Sequence, residues 1–272
     1  MKKLKLFGLG LFSAVLLAAC GSATSEESSA STDAGASDDK TIVVAASPDG
    51  YPQHYMEDDV MKGYSVEVIE AVAAEAGYTL EWELSDWSGV VANLQAGKAD
   101  TVVNFANTPE RRESYVYTDN YFYAHTGIIV PSSDTTSNTL ADFEGKSVTG
   151  VVGSNYAEVL KENDPDGKIT VDFVETSAVA LANVQSGKTA GYVNGYEELA
   201  AQIKNRGLEG RLIEEQFGEK PVGFPFKDTE ENQQIIADFN ATIEKLTADG
   251  TLAGISDKYF GVNITKSTEN AE

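Results

Sequence analysis

The chain has 272 residues, with 43 acidic against 20 basic side chains, a formal net charge of −23 and a single cysteine. That balance leaves no basic stripe to neutralise phosphates, which argues against nucleic-acid binding, and one cysteine rules out an internal disulfide framework. The fold must then rest on a hydrophobic core, and roughly 230 residues suffice for one large domain or two lobes of about 100 residues each.

Lys2, Lys3 and Lys5 precede an apolar run from Leu6 to Leu17. The run is too short to span a bilayer, so residues 1–19 are expected to be a signal peptide. Leu17-Ala18-Ala19-Cys20 resembles a bacterial lipobox. The resemblance implies lipid attached to Cys20 and an extracytoplasmic protein anchored to the cell membrane. Residues 20–40 are then the lipidated cysteine and a Ser-, Ala- and acid-rich linker, a disordered tether reaching about 25 Å.

From residue 41, short β-branched runs alternate with helical periodicity, the pattern of an α/β fold. Ile42-Val43-Val44 reads as a strand. Ser65 to Gly77 reads as a helix capped by Ser65, with Val66, Ile69, Val72, Ala73 and Ala76 on one face and Gly77 as the stop. Trp82 falls in a second strand, and Asp86 to Ala96 is a second helix closed by Gly97. Thr108-Pro109 starts a short helix with Thr at the N-cap and Pro at its first position, which sets Arg111 in the first turn. There the planar guanidinium can hold a carboxylate through two parallel hydrogen bonds, although the same spacing suits a surface arginine.

The chain repeats itself. Leu94 to Asn104 matches Val184 to Asn194 without a gap, each reading as a helix end, a Gly-Lys cap, a strand and an Asn at its carboxyl end. Pro48-Asp49-Gly50-Tyr51 and Gly153-Ser154-Asn155-Tyr156 form a looser pair. Two copies of one plan predict two similar lobes. Ligands of open α/β sheets sit outside the carboxyl ends of strands, where Asn104 and Asn194 both fall. Ser154 or Asn155 caps a helix whose N-terminal amides could receive an anion facing Arg111. Tyr51, Tyr64 and Trp87 lie near the loop edges of the first lobe, either around a ligand side chain or in the lobe core. Gly-x-Ser-x-Gly, Walker and Gly-x-Gly-x-x-Gly motifs are missing. His54 and His125 lack partners at metal-ligand spacing, and no cofactor or metal is expected.

The segments Lys62 to Glu67, Leu94 to Asp100, Thr108 to Arg111, Asp119 to Phe122, Leu140 to Lys146, Gly153-Ser154, and Ala248 to Thr251 with Asp257 to Gly261 resemble, in order, the polar amino-acid-binding proteins of ABC importers. The resemblance covers residues 41–262. It implies a periplasmic-binding-protein fold of type II: two α/β lobes with mixed central sheets joined by two hinge strands, the chain crossing near Gly127 to Pro131 and near Val222 to Phe226. Lobe 1 would be 41–127 plus 226–262, lobe 2 would be 128–225, and 263–272 a tail. It further implies a monomer that takes a polar amino acid, cystine or a related small carboxylate and serves a permease and an ATPase. Arg111 would grip the ligand's α-carboxylate with the backbone at Ser154 and Asn155, and Tyr51 and Tyr64 would surround its side chain.

Two departures stand out. Where the family has an aspartate for the α-ammonium this chain has Gly195, and where it has a hydroxyl residue five positions before the arginine this chain has Ala106. The Asp100-to-Arg111 stretch is also one residue shorter than the family's. Asn194, Asn104, Glu197 or Asp49 could replace the missing aspartate, or the ligand could lack a plain α-amino group. Members of this fold also include dehydratases of cyclic carboxylates, and a surface sensor or adhesin could use the same lobes. Both remain alternatives to a binding protein, fold alone never fixing function.

Overall fold

The computed structural model describes residues 40–268; the expected signal peptide, Cys20 with its linker, and the last four residues lie outside them. Strand β1 (Thr41–Ala46) is built from Thr-Ile-Val-Val-Ala-Ala and is buried along most of its length, as a central parallel strand must be. A small antiparallel meander follows, β2 (Asp49–Gly50), β3 (His54–Glu57) and β4 (Val60–Lys62). Helix α1 (Tyr64–Ala76) then leads to β5 (Thr79–Leu84), α2 (Trp87–Ala96) and β6 (Thr101–Val102). β5 and β6 flank β1, both parallel to it, so two crossover connections build the first sheet in the order β5-β1-β6.

Caps set these helices. Asp86 accepts from the Gly89 N–H at 2.8 Å, and Gly77 and Gly97 end α1 and α2 in the left-handed region that favours glycine. The start of α1 differs from expectation. Gly63, at φ 134°, is its N-cap, and Ser65 is drawn inside, where its hydroxyl donates to Gln53 Oε1 at 2.6 Å. A Cβ on Gly63 would stand 2.3 Å from the Gln53 carbonyl oxygen, so only glycine lets the helix begin there.

The chain passes through α3 (Pro109–Arg112) and β7 (Val116–Tyr117) into the long β8 (Phe122–Val130). The second lobe contains β9 (Ser147–Val151), α4 (Tyr156–Asn163), β10 (Thr170–Val174), α5 (Ser177–Gln185), β11 (Gly191–Gly195), α6 (Tyr196–Arg206) and β12 (Arg211–Leu212). Its sheet is mixed, ordered β10-β9-β11-β8-β12, with β8 antiparallel to β11. The chain returns along β13 (Phe217–Val222), antiparallel to β8 from Phe122↔Val222 to Thr126↔Phe217. β14 (Pro225–Phe226), α7 (Glu230–Ala248) and α8 (Thr251–Phe260) complete the first lobe.

Each lobe has its own core. In the first, α1, α7 and α8 pack on β1 through Ile69, Val72, Phe239 and Leu252, with the Tyr121 and Phe224 rings stacked 4.4 Å apart. In the second, Ile128, Phe143, Val148, Leu160 and Val193 pack together beneath α4. The molecule is thus two α/β lobes, the first around a parallel sheet and the second around a mixed one, joined by a pair of hinge strands, the type II periplasmic-binding-protein fold. No helix among the described residues is long and apolar enough to cross a membrane.

Candidate functional site: the cleft between the lobes

Arg111 reaches from one lobe to the other. Thr108 caps α3 by accepting from the Arg111 N–H at 3.3 Å, which fixes the backbone and leaves the side chain to swing inward. Its Nη1 donates to the Ala106 carbonyl at 3.1 Å and its Nη2 to the Gly153 carbonyl of the second lobe at 3.1 Å. The guanidinium lies over the Phe105 ring, 3.6 Å from the centroid. Burial pushes its pKa down to about 10, so it remains cationic at neutral pH. Among the described residues no carboxylate pairs with it. Ala106 therefore contributes through its backbone: its carbonyl positions Arg111 and also accepts from the Tyr117 hydroxyl at 3.3 Å.

Opposite Arg111 lies the turn into α4. Gly153, at φ 76°, turns the chain, and Asn155 is the N-cap residue without a side-chain cap bond. The Ser154 N–H is not free for an anion, because it donates to the Val151 carbonyl at 3.2 Å. The side chains are: Ser154 Oγ and Asn155 Nδ2 are both buried with no hydrogen-bond partner. Trp87 Nε1 is in the same state, and the Trp87 ring packs against Phe105 and against His54. Buried donors of this kind normally find a partner, so these three stand out at the junction of the lobes. Arg111, Phe105, Gly153, Ser154 and Asn155 line a cavity of about 1180 Å³ that opens between the lobes.

Behind that wall the two echoed asparagines converge. Asn104 adopts φ 55°, and its Nδ2 donates across the lobes to Glu198 Oε1 at 2.9 Å. Asn194 Nδ2 donates to Glu198 Oε2 at 3.3 Å, and the Tyr156 hydroxyl lies 3.5 Å from Oε1. Glu198, in the first turn of α6, is 7% exposed, and burial pushes its pKa up to about 7. Sequence reasoning missed Glu198. The signal was its place three residues after Gly195, one helical turn along, where side chains share a face. Of the suggested substitutes, Glu197 is taken by His125 Nδ1 at 2.7 Å and Asp49 accepts from the Ser47 hydroxyl.

Tyr51 and Tyr64 part company. Tyr51 joins the lobes: its carbonyl accepts from Gln202 Nε2 at 3.0 Å, its hydroxyl from Asn205 Nδ2 at 3.2 Å, and Arg206 stacks on its ring at 3.8 Å. Tyr64 is fully buried in the first lobe's core, with its hydroxyl donating to the Tyr121 carbonyl at 3.0 Å. It does not line the cavity around Arg111, contrary to the expectation that it surrounds the ligand side chain. No group of three His, Cys, Asp or Glu side chains among the described residues could hold a metal.

Known proteins are similar to this chain in sequence and fold. The model of the bacterial extracellular solute-binding proteins, family 3, matches residues 42–262. A "Probable amino-acid-binding protein YxeM" of Bacillus subtilis (strain 168) is 38% identical over 251 residues, covering 92% of this chain and 92% of that one. The L-cystine-binding protein TcyA of the same organism is 26% identical over 273 residues, covering 98% of this chain and 100% of its own. The solved structure of an ancestral arginine-binding protein bound to arginine matches with a TM-score of 0.73 at 25% identity, over 82% of this chain and 99% of that one. With the family's model spanning both lobes and the cleft between them, this chain belongs to the bacterial extracellular solute-binding proteins, family 3.

Proposed function

We propose that the protein captures a polar amino acid, cystine or a related small carboxylate between its lobes and delivers it to the permease and ATPase of an ABC importer. It works as a monomer outside the cytoplasm, tethered to the cell membrane through lipid on Cys20. It binds and releases its ligand without changing it. Lobe 1 comprises 41–127 plus 226–262 and lobe 2 comprises 128–225.

The observation that carries this reading is Arg111: a cation between the lobes, paired with no carboxylate among the described residues, lining one cavity with Ser154 and Asn155, whose Oγ and Nδ2 have no partner. A ligand carboxylate satisfies Arg111 on one lobe and these donors on the other only when the cleft is shut. That difference in contacts biases the equilibrium between open and closed forms. The amino-acid-binding relatives support the choice of ligand class.

A thermal-shift panel of the twenty L-amino acids, L-cystine and simple carboxylates without an amino group tests the reading. A ligand at a hundred times its Kd stabilises the native state by about 2.7 kcal/mol, which raises Tm by about 5–10 °C for a body of this size. At least one amino acid should do so. A panel with no shift anywhere contradicts the proposal.

A further inference from the structure

We infer that Glu198 is the carboxylate that receives the ligand's cationic amino group, and that this group displaces a proton from it as the lobes close. The inference rests on the amino-acid reading above and adds to it a residue and a proton.

Placement comes first. A Cβ on Gly195 would stand 2.7 Å from the Tyr156 hydroxyl oxygen and 3.1 Å from Glu198 Cδ. The space in which a side chain at 195 would begin is therefore already filled, and what fills it includes the Glu198 carboxyl group. Position 195 is glycine because the carboxylate arrives from the next helical turn. Glu198 is also the sole acidic side chain in the buried set of the described residues. It lies at the junction of the lobes, held by Asn104 of one and Asn194 of the other.

Its partners are all neutral. Asn104 reaches it from the end of β6, Asn194 from β11 and Tyr156 from α4. Tyr121 and Tyr192 also face it, and burial keeps each of these three phenols protonated. The charged group nearest on its own helix is Glu197, which repels it and is itself bound to His125 of β8. Arg111 acts on Tyr156 and makes no hydrogen bond to Glu198. A buried carboxylate with amide donors and no cation is costly to ionise. An arriving ammonium group removes that cost, so below about pH 7 the empty site holds mostly a carboxylic acid and the filled site an ion pair. The exchange balances: the Glu198 O–H breaks, its proton goes to solvent, the ligand keeps its –NH3+, and the net charge of the pair in the closed cleft is zero.

Titration calorimetry in phosphate and in imidazole, whose heats of ionisation differ, counts the protons released. The probes are the twenty L-amino acids and L-cystine, each binder being compared with its deamino analogue. At about pH 6 a group of pKa about 7 releases about 0.9 proton per ligand bound, falling to about 0.1 at pH 8. Glu198→Gln should abolish the release and weaken amino-acid binding by roughly 10- to 100-fold, while the deamino analogues release nothing from either protein. His125 is untouched by the substitution, so release that persists in Glu198→Gln overturns the inference. So does an amino acid that binds the unsubstituted protein without release, or one that binds the variant equally well. If only carboxylates without an amino group bind, the proposed function stands and this inference fails; if nothing in the panel binds, both fail.

Discussion

Arg111→Ala should weaken amino-acid binding by about one to two decades, with the fold retained. A hydrogen bond to a charged group contributes roughly 1.5–3 kcal/mol, and each 1.4 kcal/mol is about tenfold in Kd. The side chain is prepositioned by the Ala106 and Gly153 carbonyls and by the face of Phe105, so little ordering is left to offset the gain on binding. Arg111→Lys should recover only part of the loss, because an ammonium group cannot span two carboxylate oxygens in one plane or stack on a ring as a guanidinium does. Calorimetry with the amino acid found in the thermal-shift panel checks both variants. Unchanged affinity in Arg111→Ala would remove Arg111 from the site.

Glu198→Gln should make the unliganded protein more stable in alkaline solution, by about 1–3 kcal/mol at pH 8. The native state raises this group's pKa from 4.5 to about 7. Between those values the folded protein keeps a proton that the unfolded chain has lost, so stability declines as pH rises from 4.5 to 7 and the full cost is felt above 7. A glutamine keeps the shape and never ionises. Its effect should therefore be small at pH 4 and large at pH 8 when urea unfolding is followed at both. An equal effect at the two pH values would mean that burial does not hold Glu198 protonated. A residue that destabilises the empty protein while serving its ligand is the usual exchange of stability for function.

Much of this was legible in the sequence because the signals were local. Asp86, Thr108-Pro109, Gly77 and Gly97 each act on the helix they bound, and all four stand where their chemistry predicts. The repeat of Leu94 to Asn104 in Val184 to Asn194 announced two lobes, and its two terminal asparagines meet at one carboxylate. What escaped was set by packing between distant segments. Ser65 suits an N-cap by type, yet Gln53 and Tyr121 draw its hydroxyl into the core. Tyr64 has the chemistry of a ligand-binding ring, but its direction depends on the close approach of Gly63 to the Gln53 backbone. Glu198 was hidden because the substitutes weighed for the missing aspartate were Asn194, Asn104, Glu197 and Asp49, while a helix returns to the face of position 195 three residues later.

The crystal structure of the protein with its amino acid bound tests the central claim most directly. It should show a carboxylate between the Arg111 guanidinium and the Ser154 and Asn155 side chains, within hydrogen-bond distance of both lobes. A ligand seated away from Arg111, or an Arg111 side chain pointing into bulk water in the closed complex, would contradict it.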